Sequence, residues 1–292
     1  MKLALGTAQF GMQYGIANSD IKLSLDDIYK ILETAKNNGI DTLDTAFQYG
    51  ESQKNLGRVG AKNWKVISKL HTLDINTKNV YESTHKIVEK SLSNLKIEKL
   101  EALLIHDVNL LKQDYGDKVW RALEDLKQYG VIDKLGISIY QPEDLNILYD
   151  RYDFNIIQCP ISVLDRRINS SDLLNRINKD GKELHARSIF LQGLLLMNNS
   201  DRPRGFNKWK SLWQIWEDWL DQNGISSLEA CILYVYKMKE VKKVIVGVDS
   251  LSQLNEIISS LKNIGKFNNL NFPSQFDIED DFLLNPSNWK NL

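Results

Sequence analysis

The chain has 292 residues, which is enough for one large domain or two small ones. Hydrophobic residues make up 42% and charged residues 26%, as in globular proteins, so disordered and fibrous classes are excluded. The formal net charge of −1 excludes an overall basic surface of the kind that binds nucleic acid or an anionic membrane.

Signals for targeting and for disulfides are weak. No stretch of the sequence approaches the ~20 apolar residues that a membrane span requires. The apolar run at the N-terminus is broken by Gly6 and Gln9, which makes it a poor secretion signal. Cys159 and Cys231 are too few for a disulfide framework and too far apart for a zinc site. We therefore expect a cytoplasmic protein with a single domain over residues 1–292, no metal site, and no nucleic-acid or membrane partner.

Strand-length apolar or β-branched runs alternate with amphipathic stretches along the whole chain. The runs cover residues 2–6, 40–44, 65–70, 100–107, 134–140, 155–159, 183–189 and 242–248. Helices are predicted at 24–39, 79–95, 118–130 and 141–152, the first with Ser24 as its N-cap and Gly39 as its stop. Eight strands that each precede a helix-length segment close more naturally into a barrel than into an open sheet. The predicted fold is therefore an α/β protein, a (β/α)8 TIM barrel.

Two segments fall outside this repeat. An extra helix is predicted near 207–224, and residues from about 265 to 292 are predicted to be a tail packed over one end of a core at about 2–262. Four tryptophans at helical spacing predict an apolar face docked on the barrel, with an aromatic wall for a sugar or ring substrate as the alternative. They are Trp209, Trp213, Trp216 and Trp219. Nearby Arg202 and Arg204 are candidates either for phosphate binding or for a solvated loop.

Polar residues stand at the predicted strand ends, where such a barrel carries its active site. A buried lysine is costly unless it is paired, so we expect Lys69 to pair with Asp44 from the adjacent strand. A nearby ammonium would lower the pKa of Tyr49, and the imidazole of His106 could orient a substrate oxygen. This set is suited to protonating a carbonyl oxygen as the carbonyl gains a hydride, although a purely structural ion pair is the alternative for Asp44 and Lys69.

These residues lie in motifs that resemble the aldo-keto reductases over about residues 2–262. The motifs are GTAQFG, LDTAFQYGES around Asp44 and Tyr49, ISKL with Lys69, LLIHD with His106, and further on GIS, QCP, RSIFLQGLL and VIVGVDSLSQL. The resemblance implies a barrel that binds NADP(H), less often NAD(H), in an extended groove without a Rossmann fold. It also implies that Tyr49 is the general acid, that Lys69 and Asp44 lower its pKa, and that His106 orients the substrate.

The resemblance further implies a set of cofactor-binding residues. Ser138 and Gln158 match the positions that hold the nicotinamide carboxamide, and Ser188 lies in the segment beside the pyrophosphate. The segment from Gly247 to Gln253 matches the one that holds the adenosine. The full set is Gly6, Thr7, Asp44, Ser138, Gln158, Arg187, Ser188, Leu191, Gln192, Gly193, Gly247, Asp249, Ser250 and Gln253.

Four positions depart from the family pattern. Ile139 replaces an asparagine that contacts the carboxamide, Ile257 replaces a later asparagine near the adenine, and Arg187 replaces an aromatic residue that stacks on the nicotinamide. A guanidinium plane can also stack on a ring. Asp249 stands where many members place a cation for the 2′-phosphate, and since acidic groups suit a ribose hydroxyl, NAD(H) stays open beside NADP(H).

We therefore expect an NAD(P)H-dependent oxidoreductase that reduces a small-molecule carbonyl, whether an aldehyde, a ketone or a sugar. Two alternatives stay open: a nucleotide-sensing binding subunit with vestigial redox activity, and a non-redox barrel enzyme acting on sugars. The first would bind a nucleotide without steady turnover, and the second would act without any nicotinamide. The remaining histidines, His71, His85 and His185, are expected to be surface or packing residues.

Overall fold

The computed structural model describes residues 2–16, 23–71, 73, 79–169 and 171–291. Eight parallel strands pair in sequence order, and pairing of the first with the last, which places Gly6 opposite Gly247, closes the barrel. The strands are β1 (Leu3–Gly6), β2 (Thr42–Asp44), β3 (Lys65–Leu70), β4 (Leu100–Ile105), β5 (Ile132–Ser138), β6 (Ile156–Pro160), β7 (Glu183–Arg187) and β8 (Val241–Gly247). The predicted (β/α)8 barrel is confirmed.

Helices surround this barrel in the described part of the chain. They are α1 (Leu25–Asn37), α2 (Ser52–Val59), α3 (Val80–Leu95), α4 (Gly116–Gln128), α5 (Asp144–Leu148), α6 (Ser171–Lys179), α7 (Lys210–Asn223), α8 (Ser227–Lys237), α9 (Leu251–Asn263) and α10 (Asp281–Leu284). None of those described combines the length and apolar character that a membrane-spanning helix needs.

Helix α1 shows how local sequence sets the ends of an element. The Ser24 hydroxyl accepts a hydrogen bond from the Asp27 N–H at 3.1 Å, and the Asp27 carboxylate accepts one from the Ser24 N–H at 3.0 Å. This reciprocal cap satisfies two N–H groups that a helix start leaves unpaired. Beyond the other end, Gly39 has a φ of +78°, which glycine adopts readily. Both predicted ends of this helix are confirmed.

The helix predicted at 141–152 is much shorter than expected. It is confined to α5, and bonds to the third preceding residue, typical of tight turns, lie on both sides of it. The Leu145 N–H donates to the Pro142 carbonyl at 3.0 Å, and the Arg151 N–H donates to the Leu148 carbonyl at 3.2 Å. The early turn leaves residues 139–143 outside the helix, where Tyr140 and Gln141 line a cavity at the barrel mouth.

The barrel interior changes from apolar to polar along the strands. Ile67, Ala102, Leu104 and Ile156 form a buried cluster of their own. Side chains alternate along a strand, so the residues two positions after Ile67, Leu104 and Ile156 point to the same side. Those residues are Lys69, His106 and Gln158. The apolar layer therefore ends directly below a polar layer at the C-terminal ends of the strands.

The extra helix is confirmed as α7, and its tryptophans pack into the core. Trp213 and Trp216 are 1% and 0% exposed, and their indole N–H groups donate to the carbonyls of Phe206 and Leu195. Trp219 packs edge-on against Phe276. The prediction of an apolar docked face is confirmed.

The C-terminal tail packs over the barrel end that holds the polar layer. The Ile278 N–H donates to the Leu164 carbonyl after β6 at 3.1 Å. In the loop after β5, the Gln141 amide donates to Asp281 Oδ1 at 2.6 Å, and Arg167 donates to Gln141 Oε1 at 2.5 Å. The tail is thus joined to the loops after β5 and β6.

Candidate active site

A buried ion pair forms the centre of the polar layer. Lys69 Nζ donates to Asp44 Oδ1 and, at 3.2 Å, to the Thr45 carbonyl, while Gln158 Nε2 donates to Asp44 Oδ2 at 2.8 Å. The side chains of Lys69 and Asp44 are only 1% and 4% exposed. Burial lowers the pKa of Lys69, and the Asp44 carboxylate acts in the opposite direction. The pairing predicted from adjacent strands is confirmed.

Tyr49 lies in the loop after β2, and two glycines let that loop approach the loop after β1. The Glu51 N–H donates to the Gly11 carbonyl at 3.3 Å. A Cβ atom on Gly11 would lie 2.1 Å from the Tyr49 carbonyl oxygen, and one on Gly50 would lie 2.5 Å from the Gly11 carbonyl oxygen. Only glycine permits this close backbone approach, which fixes the position of Tyr49.

The Tyr49 ring lies beside the ion pair and beside His106. Lys69 Nζ is 5.4 Å from the ring centroid, and the His106 ring meets the Tyr49 ring edge-on at 5.9 Å. Burial raises the pKa of Tyr49, the Asp44 charge adds to the effect, and Arg187 opposes it. Burial is the largest of these effects, so the pKa lies above the ordinary value of a tyrosine, and the expectation that the Lys69 ammonium favours the phenolate stays a prediction. The phenol therefore keeps its proton at neutral pH.

His106 is a neutral imidazole. Burial, followed by the electrostatic effect of Lys69, His71 and Arg187, lowers its pKa from 6.5 to about 3. Its Nδ1 is buried and has no hydrogen-bond partner among the described residues. A neutral imidazole has one N–H donor and one acceptor nitrogen, so His106 can donate a hydrogen bond to a ligand oxygen.

His71 also lies in this region, and its packing contact is with His106 itself. Its ring meets the His106 ring edge-on at 5.5 Å, and it lines a cavity beside Tyr49. The other two histidines fit the expectation of surface or packing residues. His85 stacks on Tyr81, and the His185 ring is hydrogen-bonded to Glu183 at 3.0 Å.

A cavity of about 380 Å³ extends from Asp44 and Tyr49 towards the start of α9. Most of the predicted cofactor-binding residues line it. They are Gly6, Thr7, Asp44, Gln158, Arg187, Ser188, Gln192, Gly193, Gly247, Asp249 and Gln253. We call it the long cavity.

Three residues of the predicted cofactor set lie apart from the long cavity. Ser138 lines the neighbouring cavity instead. The Leu191 side chain is buried in the hydrophobic core, and the Ser250 hydroxyl accepts from the Gln253 N–H at the start of α9. Thr7 lines the cavity with its side chain already engaged, because its hydroxyl donates to the Asp44 carbonyl at 3.1 Å.

Sequence reasoning missed several residues of the long-cavity wall. Phe190, Leu196 and Met197 follow β7, Leu228 lies in the first turn of α8, and Glu256 lies on α9. Glu256 adds a carboxylate to the lining that already contains Asp44 and Asp249. Among the described residues that line the cavity, Arg187 is the one arginine or lysine. Only the packing of α8 and α9 on the barrel brings Leu228 and Glu256 to this wall, so no local motif indicates them.

A second cavity of about 550 Å³ adjoins the first. We call it the outer cavity. Tyr14 and Tyr49 line both, so the two spaces meet beside the Tyr49 side chain. The outer cavity is lined by residues at the ends of β1 to β5 and in the segments that follow them, namely Tyr14, Gln48, Tyr49, His71, His106, Asp107, Val108, Asn109, Ser138, Tyr140, Gln141 and Asp144.

Strained backbone follows β7 along the long cavity. Ser188, Leu191 and Gln192 have φ values of +59°, +49° and +53°. Each such residue costs on the order of 1 kcal/mol and persists where the surroundings require it, most often at ligand sites. Arg202, considered above for phosphate binding, is instead structural, because its guanidinium is bound to Glu217 at 3.1 Å and to the Met197 carbonyl at 2.7 Å.

Comparison with known proteins finds one matching family model and several related sequences. The model of the Aldo/keto reductase family matches residues 2–270. Glyoxal reductase of Bacillus subtilis is 28% identical over 204 residues, covering 69% of this chain and 72% of that protein. L-galactose dehydrogenase of Arabidopsis thaliana is 23% identical over 283 residues, covering 90% of this chain and 84% of that protein.

Solved structures show the same fold. An aldo-keto reductase from Bacillus halodurans in its holo form superposes with a TM-score of 0.70 at 19% identity, covering 95% of each chain. The glycerol dehydrogenase of Gluconobacter oxydans superposes with a TM-score of 0.68 at 23% identity, covering 93% of this chain and 94% of that one.

Proposed function

The chain belongs to the aldo/keto reductase family, and we propose that it is an NAD(P)H-dependent oxidoreductase that reduces an aldehyde, ketone or sugar carbonyl with Tyr49 as proton donor. One observation carries the proposal. The ion pair of Asp44 and Lys69, the phenol of Tyr49 and the neutral His106 meet where the two cavities join. The related proteins named for glyoxal and L-galactose support a small polar carbonyl compound as the substrate.

The long cavity fits a nicotinamide nucleotide. Gln158 Oε1 is buried there without a hydrogen-bond partner among the described residues, while its Nε2 is held by Asp44. A carboxamide N–H₂, which nicotinamide carries, would supply the missing donor. A nucleotide bound in this cavity would supply the hydride that reduces the carbonyl carbon.

Tyr49 would donate the proton of its hydroxyl to the carbonyl oxygen as that oxygen gains electrons. Because its pKa is raised, the phenol holds this proton at neutral pH. After the transfer the Tyr49 side chain is a phenolate. The Lys69 ammonium, 5.4 Å from the ring centroid, stabilises that negative charge, and Asp44 holds the ammonium in place. His106 would donate a hydrogen bond to the same carbonyl oxygen and orient it towards Tyr49.

Replacing Tyr49 by phenylalanine tests this role. Loss of general-acid catalysis should lower turnover by about 100-fold or more. Nucleotide affinity, measured by isothermal titration calorimetry, should stay close to that of the wild type because the ring remains. Tyr152→Phe is the matched control, since its hydroxyl bonds to Asp117 outside both cavities and turnover should not change. Unimpaired turnover in Tyr49→Phe would refute the assignment, and tight nucleotide binding without any wild-type turnover would favour a nucleotide-sensing protein.

A further inference from the structure

The charges around Tyr49 do not balance. Lys69 and Asp44 form a closed pair, and His106 is neutral, so the positive charge of Arg187 has no counterpart there. In the described part of the chain, no carboxylate lies within ion-pair distance of Arg187. Lys69 thus has Asp44 beside it, whereas no ion pair is found for Arg187 among the described residues.

Arg187 is held in place by neutral groups. Its guanidinium donates to the Ile139 carbonyl at 3.0 Å and to the Ser188 hydroxyl at 3.4 Å. The Tyr140 ring covers one of its faces, with the ring centroid 4.2 Å from Cζ. A guanidinium carries more N–H donors than these two acceptors use. The side chain is fixed, yet it keeps hydrogen-bonding capacity.

Arg187 lies close to the reacting groups. It lines the long cavity together with Asp44 and Tyr49, while its stacking partner Tyr140 lines the outer cavity. Burial is the main cause of the shifted pKa values of Tyr49 and His106, and the Arg187 charge lowers both. Arg187 and the Tyr140 ring that it stacks on therefore connect the linings of the two cavities beside Tyr49.

We propose that Arg187 binds the carboxylate of an oxo-acid substrate and so selects carbonyl compounds that carry a negative charge near the reacting carbonyl. This inference rests on the proposed function. A carboxylate matches the planar fork of a guanidinium with two parallel hydrogen bonds, and it supplies the missing negative charge. The outer cavity is lined by Asp107 and by Asp144, which is paired with Lys112 at 2.7 Å, and no arginine or lysine lines that cavity among the described residues. The charged group therefore binds on the Arg187 side, which favours short oxo acids.

Pairs of substrates that differ in charge alone test this. Pyruvate is compared with methyl pyruvate, and 4-oxobutanoate with its methyl ester, in the wild type and in Arg187→Gln. For each pair, the ratio of kcat/KM for the acid over that for the ester is measured in both proteins. The intrinsic reactivity of each compound is the same in the two ratios, so it cancels when they are compared. Loss of a charged hydrogen bond should lower that ratio by roughly 10- to 100-fold in the variant. Arg187→Lys, which keeps the charge without the fork, replaces Arg187→Gln if the latter does not fold.

Arg166→Gln is the matched control. Arg166 also donates to a carbonyl, that of Val163 at 2.8 Å, and lies over a tyrosine ring, that of Tyr234 at 5.1 Å. It lines neither cavity, so its replacement should leave the acid-to-ester ratio unchanged.

Each further outcome separates this inference from the proposed function. An unchanged ratio of kcat/KM for acid over ester in Arg187→Gln overturns the inference. This includes the case in which the variant loses only nucleotide affinity. Reduction of the esters would in either case keep the proposed function intact. If none of the four compounds is reduced, the proposed function is still tested by Tyr49→Phe with other carbonyl compounds, and calorimetric binding of oxamate then tests Arg187 without turnover. Oxamate binding that Arg187→Gln abolishes supports the carboxylate site, and absence of binding to the wild type overturns it.

Discussion

The neutral state of His106 makes folding stability depend on pH in a way that can be calculated. In the folded protein its pKa is lowered from 6.5 to about 3. Between these values the unfolded chain binds a proton at this site and the folded chain does not. The contribution of the neutral His106 side chain to folding stability is therefore fully present above pH 6.5, and it is lost progressively as the pH falls towards 3.

The size of the loss follows from the two pKa values. Each pKa unit corresponds to about 1.4 kcal/mol, so going from pH 8 to pH 5 should remove about 2 kcal/mol from the free energy of unfolding. Replacing His106 by glutamine removes the titrating group and keeps a polar side chain. The difference in unfolding free energy between wild type and His106→Gln should therefore shrink by about 2 kcal/mol over this range.

Urea unfolding followed by tryptophan fluorescence measures this difference at pH 8, 6.5 and 5. All other titrating groups are shared by the two proteins, so their pH dependence cancels in the comparison. A difference that is independent of pH, or that grows as the pH falls, would show that His106 is not held neutral by its surroundings.

Two further predictions concern the nucleotide and the core. Replacing Asp249 by serine removes a carboxylate from the part of the cavity wall that resemblance to the family assigns to the adenosine. Calorimetry should then show the affinity for NADPH rising about fivefold relative to that for NADH. No change in the ratio of the two affinities would contradict a contact of Asp249 near the 2′-phosphate. Replacing Arg202 by methionine leaves Glu217 and the Met197 carbonyl without their donor, so the free energy of unfolding in urea should fall by about 3 kcal/mol. The control is Arg204→Met at an exposed neighbouring position, which should change that free energy by less than about 0.5 kcal/mol.

Periodicity and charge made much of this molecule predictable. The strands were predicted because apolar runs of strand length recur between amphipathic stretches, which is typical of parallel sheets covered by helices. The pairing of Lys69 with Asp44 was predictable because a lysine inside a barrel must have a partner. Chain connectivity then placed the C-terminal ends of successive strands side by side, so His106 was expected near that pair.

Other features depend on packing that no local pattern contains. His71 reaches the site because its ring meets His106, and the cavity wall includes Leu228 and Glu256 because α8 and α9 pack on the barrel at particular angles. The direction of the Tyr49 pKa shift depends on how deeply the phenol is buried, which the residue spacing does not indicate.

The contacts between the C-terminal tail and the loops after β5 and β6 bear on how such a protein changes over evolution. Gln141 lines the outer cavity and is bound to Asp281 in the tail and to Arg167. Tyr49 follows β2 and Lys69 lies on β3, and in the described part of the chain no hydrogen bond or ion pair joins either of them to these three groups. Substitutions that accumulate in the tail can therefore reshape the rim of the outer cavity while the catalytic groups stay intact. Substrate range and chemical competence are separable traits in this fold, and selection or laboratory recombination can act on the first alone.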